Sequence, residues 1–165
     1  MMEVEIRKLD ATSYPGLLYI WASAVRATHD FLSPEHFDYF HERVASDYFP
    51  SVDLYGAFLS PGSGAAKCTG FVGLGKNTED GAVHIEMLFI DPAWHRRGIG
   101  KRLVDYAKAM SAKVFLEVNE QNGGALDFYL RQGFEIIGRS SLDPGGKPYP
   151  LLSMCYIDPK RLPND

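Results

Sequence analysis

The chain has 165 residues, of which 45% are hydrophobic and 23% are charged, and its formal net charge is −4. These are the proportions of a globular protein, and the length fits a single domain over residues 1–165, which excludes a disordered or collagen-like chain. The negative charge argues against nucleic acid and membrane surfaces as partners, and two cysteines are too few for a disulfide framework or a metal cage.

The first third of the chain predicts one strand followed by two helices. In Glu3–Leu9, apolar residues alternate with charged ones, which indicates a strand. Apolar side chains then recur at helical spacing over Leu17–Thr28. The pair Ser33-Pro34 supplies an N-cap and a first-turn proline for a second helix, which Pro50 ends.

The centre of the chain predicts an antiparallel meander of three strands. The candidate strands are Leu54–Leu59, Cys68–Gly75 and Val83–Ile90. They are separated by the glycine- and serine-rich stretch Ser60–Ala66 and by the Asp80-Gly81 pair, both of which are typical of hairpin turns.

The last third predicts two helices that alternate with three strands. A helix carries apolar residues from Ile99 to Met110, and a second helix over Ala125–Gln132 stops at Gly133. The predicted strands are Val114–Val118, whose apolar run suggests that both its faces are covered, Phe134–Arg139 and Leu151–Ile157. The element order β-α-α-β-β-β-α-β-α-β-β predicts an α/β fold with a mixed sheet and one right-handed crossover.

The segment His95–Arg102 (HRRGIGKR) combines positive charge with two glycines. It holds four of the 17 basic residues and no acid. Backbone N–H groups at a helix start lack intrahelical partners and the helix dipole is positive there, so the segment predicts a phosphate cradle. Gly98 and Gly100 would let the backbone approach phosphate oxygens. The segment matches neither a dinucleotide fingerprint, because Leu103 occupies the third glycine position, nor a P-loop, because no Ser or Thr follows Lys101.

Three segments together resemble the GNAT-type N-acetyltransferases. The loop from His95 to Lys101 is similar to the family's Q/R-x-x-G-x-G/A segment, which holds the pyrophosphate of acetyl-coenzyme A. Asn122–Phe134 resembles the family's N-x-x-A-x-x-F-Y-x-x-x-G-F segment, and the preceding strand end LFIDP also fits. The resemblance covers residues 83–134, and the element order extends it to nearly the whole chain. The segments THDFL (28–32), VNEQN (118–122) and GKPYPLL (146–152) further resemble a small bacterial subgroup.

The resemblance implies the GNAT fold and an enzyme that passes the acetyl group of acetyl-coenzyme A directly to a primary amine, without an acyl-enzyme or a metal. The absence of a Gly-x-Ser-x-Gly elbow agrees with direct transfer. A small-molecule amine, a peptide N-terminus and a protein lysine stay open as acceptors, and so do a monomer and a homodimer. The alternative function is a non-catalytic acyl-coenzyme A sensor or interaction domain. Without a signal peptide or a membrane-spanning run, we expect a cytoplasmic protein.

By the same resemblance, the coenzyme is expected to contact one strand end, the glycine loop and one helix cap. These residues are Leu88, Phe89, Ile90, His95, Arg96, Arg97, Gly98, Ile99, Gly100, Lys101 and Asn122. The N–H of Leu88 would polarise the thioester carbonyl, and the backbones of Phe89 and Ile90 would pair with the pantetheine arm. The family's loop begins with Gln or Arg where this chain has His95, so we expect the side-chain contact with pyrophosphate to move to Arg96 or Arg97.

Three residues are candidates for proton transfer. A lysine-like amine with a pKa near 10.4 is neutral about once in 2,500 molecules at pH 7, so a group that takes its proton is useful. Glu86 is the expected base, because many GNAT enzymes carry an acid on the strand that enters the glycine loop. His84 shares a strand face with it and is the expected helper. Tyr129 matches the family's general acid, with packing against Leu126 and Leu130 as its structural alternative.

The acceptor pocket is expected to draw on the first two helices and the final hairpin, as in the family. The candidate lining residues are Trp21, His29, Phe31 and Tyr149. Trp21 lies on the apolar stripe of its helix, so core packing is its alternative. His29 lies near a helix end, where pairing with the helix dipole is the alternative.

Overall fold

The computed structural model describes residues 3–60, 64–76 and 81–161, and in these residues seven strands form one mixed sheet. The strands are β1 (Val4–Lys8), β2 (Val52–Leu59), β3 (Lys67–Gly75), β4 (Val83–Ile90), β5 (Lys113–Asn119), β6 (Glu135–Ser140) and β7 (Leu151–Ile157). Their order is β1-β2-β3-β4-β5-β7-β6, and β4 with β5 is the parallel pair. The predicted α/β fold, the meander and a crossover between the parallel strands β4 and β5 are confirmed.

Four α-helices connect and cover the strands. They are α1 (Tyr14–Thr28), α2 (Pro34–Arg43), α3 (Ile99–Met110) and α4 (Gly123–Arg131). The Ser33 hydroxyl accepts a hydrogen bond from the N–H of His36 at 3.1 Å, which confirms the predicted cap of α2. The helix ends earlier than Pro50, because the chain continues as a π-helical turn, Val44–Tyr48. No described helix has the length and apolarity needed to cross a membrane.

The hydrophobic core lies in two layers on opposite faces of the sheet. On one face, α3 and α4 cover a layer that includes Leu103, Leu116 and Met154. On the other face, α1 packs against β3 and β4, and Leu17 and Phe71 are buried there. The central strands are therefore enclosed on both faces, as the buried run in β3 shows.

Strand β5 is covered on one face only, contrary to the expectation from its apolar run. Val114, Leu116 and Val118 are buried beneath α3 and α4, whereas Phe115 is half-buried and Glu117 is exposed. The difference arises because α1 packs against β3 and β4 rather than over β5. This leaves an open sheet surface next to β4.

The two predicted turns of the meander join strands that pair as expected. Strand β2 pairs antiparallel with β3, and β3 pairs antiparallel with β4. Residues 61–63 of the first turn and Asp80 of the second lie outside the described residues. Gly81 has a φ of +68°, which a left-handed turn position requires.

Candidate active site

The parallel strands β4 and β5 separate after three residue pairs. Val83, His84 and Ile85 pair with Val114, Phe115 and Leu116. Beyond Ile85, β4 stays paired with β3 as far as Ile90, and β5 stays paired with β7 as far as Asn119. The separation opens a cleft whose walls carry backbone hydrogen-bonding groups that have no strand partner among the described residues. Such an edge can accept an extended ligand in the manner of an added strand.

Alternate residues of β4 direct their backbone N–H and C=O groups towards this cleft. The N–H of Asp91 donates to β3 at 2.8 Å. The carbonyl oxygen of Phe89 also faces β3, since a Cβ built on Gly70 would lie 3.0 Å from it. Because the polar groups of successive strand residues point in opposite directions, those of Leu88 and Ile90 face the cleft. The backbone of Phe89 is therefore directed away from the position in which it was expected to pair with a ligand.

Glu86 is the extra residue of a β-bulge. Gly73 pairs with Met87 and Leu74 pairs with Ile85, so nothing on β3 opposes Glu86. Bulges re-aim side chains and are frequent beside active sites. The sequence period did not reveal this irregularity, although it correctly placed the side chain of Glu86 beside His84.

His84 and Glu86 form a hydrogen-bonded pair at the opening of the cleft. The His84 Nδ1 lies 2.7 Å from Glu86 Oε1. Gly75 leaves room for the pair, since a Cβ there would lie 3.2 Å from the same oxygen. An ionised carboxylate only accepts hydrogen bonds, so Nδ1 carries the proton. The Nε2 of a neutral His84 is then a free acceptor.

The two partners shift each other's ionisation in opposite directions. The hydrogen bond to Glu86 raises the pKa of His84 above its ordinary value, although burial partly opposes the shift. The same bond lowers the pKa of Glu86. The side chains are 32% and 44% exposed, so both remain within reach of solvent and of a substrate. Glu86 is consequently a weaker base than a free glutamate, and His84 is a stronger base than a free histidine.

The two glycines of the loop have different structural tasks. Gly98 caps α3 with a φ of +76°, and a Cβ on it would meet nothing within 4 Å. Its backbone conformation, rather than crowding by the protein, therefore requires glycine. A Cβ on Gly100 would lie 3.2 Å from the ring of Phe128, so this glycine permits close packing of α3 against α4. Both glycines were expected to clear space for phosphate. Packing within the protein accounts for Gly100, so only Gly98 remains a candidate for that role.

The first turn of α3 presents its backbone rather than its side chains. No side chain caps the helix, so its leading N–H groups lack a capping side-chain partner among the described residues. The side chain of Ile99 is buried in the core, and Lys101 forms an ion pair with Asp105 at 2.7 Å. These features suit an anion held by main-chain donors at the positive end of a helix.

The basic side chains of the loop differ in the contacts that they make. His95 Nε2 lies 3.2 Å from the carbonyl oxygen of Ile90, so this histidine fastens the loop to the end of β4. The guanidinium of Arg97 lies 4.9 Å from the ring centre of Trp94. Arg96 makes no hydrogen bond or ion pair with any described residue, and its φ of +63° is unusual for a residue other than glycine. Arg96 is therefore the loop side chain best placed to move onto an anion.

Tyr129 is buried on α4. Asn122 caps that helix as predicted, because its Oδ1 accepts a hydrogen bond from the N–H of Ala125 at 3.2 Å. The Tyr129 ring stacks on Phe128 at 5.2 Å and meets Phe134 edge-on at 5.7 Å. Of the two leucines in its structural alternative, Leu126 packs against the core layer that contains Tyr129, whereas Leu130 is 45% exposed.

The hydroxyl of Tyr129 remains available to a ligand. It makes no hydrogen bond to a described residue, yet the described residues contain no fully buried side-chain oxygen that lacks a partner. The hydroxyl therefore keeps contact with solvent at the surface of the core. Burial of the ring raises the pKa of Tyr129, so the group stays a protonated donor at neutral pH.

Three of the four predicted acceptor residues form one aromatic cluster. The ring of His29 lies 5.2 Å from that of Phe31, which lies 6.1 Å from Tyr149. Burial lowers the pKa of His29, which favours a neutral ring. Trp21 lies elsewhere, at 5% exposure in the core, with its ring 5.4 Å from Phe37.

The sequence analysis missed His36, which joins the cluster from α2. Its Nδ1 hydrogen-bonds the Tyr149 hydroxyl across a separation of 113 residues, and the two rings meet edge-on at 5.2 Å. Lys147 adds a second link, with its ammonium 3.7 Å from the ring centre of Tyr39 on the same helix. No local signal in the sequence joins residues so far apart. Together these contacts fasten the β6–β7 connection to α2.

A cavity of about 350 Å³ at the start of α1, bounded in part by Leu17, Phe58 and Cys68, contains none of the predicted site residues. The described residues contain no group of three His, Cys, Asp or Glu side chains that could hold a metal ion.

Residues 33–147 match the family model of the acetyltransferase (GNAT) domain. The chain belongs to the GNAT family. It is 38% identical over 155 residues to the peptidyl-lysine N-acetyltransferase YjaB of Salmonella typhimurium strain LT2, and the match covers 94% of this chain and 99% of the relative. The predicted family and enzyme class are confirmed, and the protein is an N-acetyltransferase that transfers an acetyl group to an amine.

Solved structures share the whole architecture. The solution structure of the apo form of YjaB from Escherichia coli superimposes with a TM-score of 0.81 at 37% identity, covering 94% of this chain and 98% of the other. The crystal structure of PaiA N-acetyltransferase from Thermoplasma acidophilum, in complex with coenzyme A, has a TM-score of 0.74 at 20% identity and covers 95% and 100%. The second likeness shows the fold alone.

Proposed function

We propose that the protein acetylates lysine side chains of peptides or proteins, with acetyl-coenzyme A as donor, inside the cell. The observation that carries the proposal is the juxtaposition of the open β4 edge, the uncapped first turn of α3 and the His84–Glu86 pair. YjaB, to which the chain is 38% identical, is named for peptidyl-lysine acetylation. Acetyl-coenzyme A is the donor that the likeness to the acetyltransferase (GNAT) domain implies, and PaiA, which shares the fold, is seen in complex with coenzyme A.

The donor fits the cleft through main-chain contacts. The pantetheine arm carries amides, which pair with the backbone groups that Leu88 and Ile90 turn towards the cleft. The pyrophosphate lies at the first turn of α3, where the N–H groups and the helix dipole stabilise negative charge. Arg96 adds a charge-assisted contact from the side of the loop.

The chemical step begins with attack of the acceptor nitrogen on the thioester carbonyl. The carbonyl oxygen gains negative charge, which the N–H of Leu88 stabilises. The carbon–sulfur bond then breaks, and the departing thiolate takes a proton from the Tyr129 hydroxyl. Because burial raises the pKa of Tyr129, its hydroxyl is a donor rather than an anion at neutral pH, which is the state that this role needs.

We assign the role of base to His84 and the supporting role to Glu86, which reverses the expectation from the sequence. His84 directs its Nδ1–H to Glu86, so its Nε2 is the atom free to take the proton from the acceptor amine, directly or through a water. Glu86 orients the ring and stabilises the imidazolium that forms, as the acid does in other carboxylate–histidine pairs. The opposite pKa shifts favour the same assignment.

Mass spectrometry of a reacted peptide tests the proposed function. A peptide with one internal lysine and a free N-terminus is incubated with the full chain and acetyl-coenzyme A. We expect a gain of one acetyl group on the lysine side chain, and no gain when His84→Gln and Tyr129→Phe are combined. Acetylation confined to the α-amine would contradict the lysine proposal, because the acceptor would then be a peptide N-terminus.

A further inference from the structure

Each strand of the cleft carries a glutamate one residue beyond the last β4–β5 pair. That pair is Ile85 with Leu116, and Glu86 and Glu117 follow it. Val114, Leu116 and Val118 are buried on one face of β5, so Glu117 lies on the opposite face with Phe115, the partner of His84. Glu117 therefore borders the cleft on the face where the His84–Glu86 pair lies.

The carboxylate of Glu117 is exposed to solvent. It forms no hydrogen bond or ion pair with any described residue, whereas Glu86 is bonded to His84. Like charges at facing strand positions repel each other, which disfavours closure of the cleft at this point. The negative charge of Glu117 also contributes to the raised pKa of His84, so the two groups are close enough to interact.

We propose that Glu117 determines the charge specificity of the acceptor site by attracting a cationic amine to the cleft and holding it beside Nε2 of His84. The inference rests on the proposed function and names the class of acceptor: an ammonium at the end of a flexible side chain. The amine arrives protonated, pairs with Glu117, and then gives its proton to His84. Glu117 positions the acceptor and takes no part in the bond changes.

Glu135 offers a matched control. It is exposed on β6 and faces Cys155 of β7, which itself faces Phe115 of β5. Glu135 therefore lies on the same sheet face as Glu117, but two strands further from the cleft. Replacing either glutamate by glutamine changes the net charge by the same amount.

The test measures peptide affinity and turnover separately. Fluorescence anisotropy gives the Kd of two labelled, N-acetylated peptides for the coenzyme A-loaded protein, one with a central lysine and one with norleucine there. The wild type should bind the lysine peptide about fivefold more tightly, the effect of an ion pair worth about 1 kcal/mol. Glu117→Gln should remove most of that difference, and Glu135→Gln should keep it. Raising the salt concentration should reduce the difference in affinity between the two peptides.

Turnover of the lysine peptide gives the second readout. Glu117→Gln should raise the KM for the peptide about fivefold, with kcat within about twofold and the KM for acetyl-coenzyme A unchanged. Equal or no binding of the two peptides by the wild type, or equal losses in Glu117→Gln and Glu135→Gln, would overturn the proposal. Peptide binding is measured without acetyl transfer. Acetylation at a different amine would therefore refute the proposed lysine function, while the peptide affinities would still test the role of Glu117.

Discussion

The proposed coenzyme side and acceptor side of the cleft differ in the groups that they present. The coenzyme side consists of main chain: the edge of β4 and the first turn of α3, shaped by the left-handed Gly98. The acceptor side consists of side chains from distant elements, namely the His84–Glu86 pair and the cluster that Tyr149 forms with His36. Most substitutions leave backbone donors in place. The coenzyme side should therefore respond mainly to substitutions that alter backbone conformation, and the acceptor side to substitutions that alter the chemistry of a side chain.

The largest effect is expected at Tyr129, the proposed proton donor to the departing thiolate. Tyr129→Phe keeps the ring contacts with Phe128 and Phe134 and removes only the hydroxyl. We expect kcat to fall by roughly 10- to 1,000-fold, the scale of one lost general acid. The melting temperature and the affinity for acetyl-coenzyme A should change little.

A control for this variant is Tyr55→Phe. Tyr55 lies on β2, away from the cleft, and its ring centre is 5.0 Å from that of Tyr106. Its kcat should remain that of the wild type. Wild-type turnover by Tyr129→Phe, with chemistry shown to limit the rate, would make Tyr129 a packing residue.

Gly98 tests the conformational sensitivity of the coenzyme side. Gly98→Ala places a Cβ in open space but forces a side-chain residue into a left-handed conformation, which costs roughly 1–2 kcal/mol. Displacement of the first turn of α3 should then weaken binding of acetyl-coenzyme A. In the wild type, ligand at a hundredfold excess over Kd stabilises the protein by about 2.7 kcal/mol, and the variant should show a smaller shift in melting temperature.

Gly81→Ala is the matched control, because Gly81 also has positive φ and open space but lies between β3 and β4. It should lower stability without changing the coenzyme-induced shift. Arg96→Ala should reduce the shift less than Gly98→Ala, since the backbone donors remain. Equal losses in these two variants would mean that side-chain charge, rather than backbone geometry, binds the coenzyme.

The smallest effect is expected at the link between α2 and the β6–β7 connection. His36→Phe keeps an aromatic ring and removes the hydrogen bond to Tyr149, which is worth about 1 kcal/mol. We expect the KM for the peptide to rise about threefold to fivefold, with the KM for acetyl-coenzyme A unchanged. His41→Phe, on the same helix and stacked on Phe37 at 5.8 Å, should leave both constants unchanged.

A His36→Phe enzyme whose KM values both equal those of the wild type would show that the link is structural only. An increase in the KM for acetyl-coenzyme A alone would assign the cluster to the other side of the cleft.

The same contrast explains what the sequence could predict. The glycine loop and the Asn122 cap are local features, in which residues a few positions apart form the structure, so short motifs identify them. The bulge at Glu86 depends on the register with β3, and the bond between His36 and Tyr149 depends on the whole fold. Neither leaves a periodic or compositional trace in the chain.

The open face of β5 shows a further limit. Its apolar run predicted cover on both faces, but a half-buried Phe115 satisfies the same pattern when a helix covers only the opposite face. Which strands a helix covers is decided by its connections, and α1 lies against β3 and β4. The surface that borders Glu117 was therefore not predictable from the strand alone.

The pH dependence of kcat/KM for a lysine peptide tests the division of roles between His84 and Glu86. If neutral His84 is the base, the rate rises with pH through the pKa of His84, which Glu86 and Glu117 hold above the ordinary 6.5. Glu86→Gln removes one of these negative charges, so the acidic limb should move to lower pH, while the plateau rate falls as the base weakens. An acidic limb that stays in place or moves to higher pH in Glu86→Gln would contradict a His84 base oriented by Glu86.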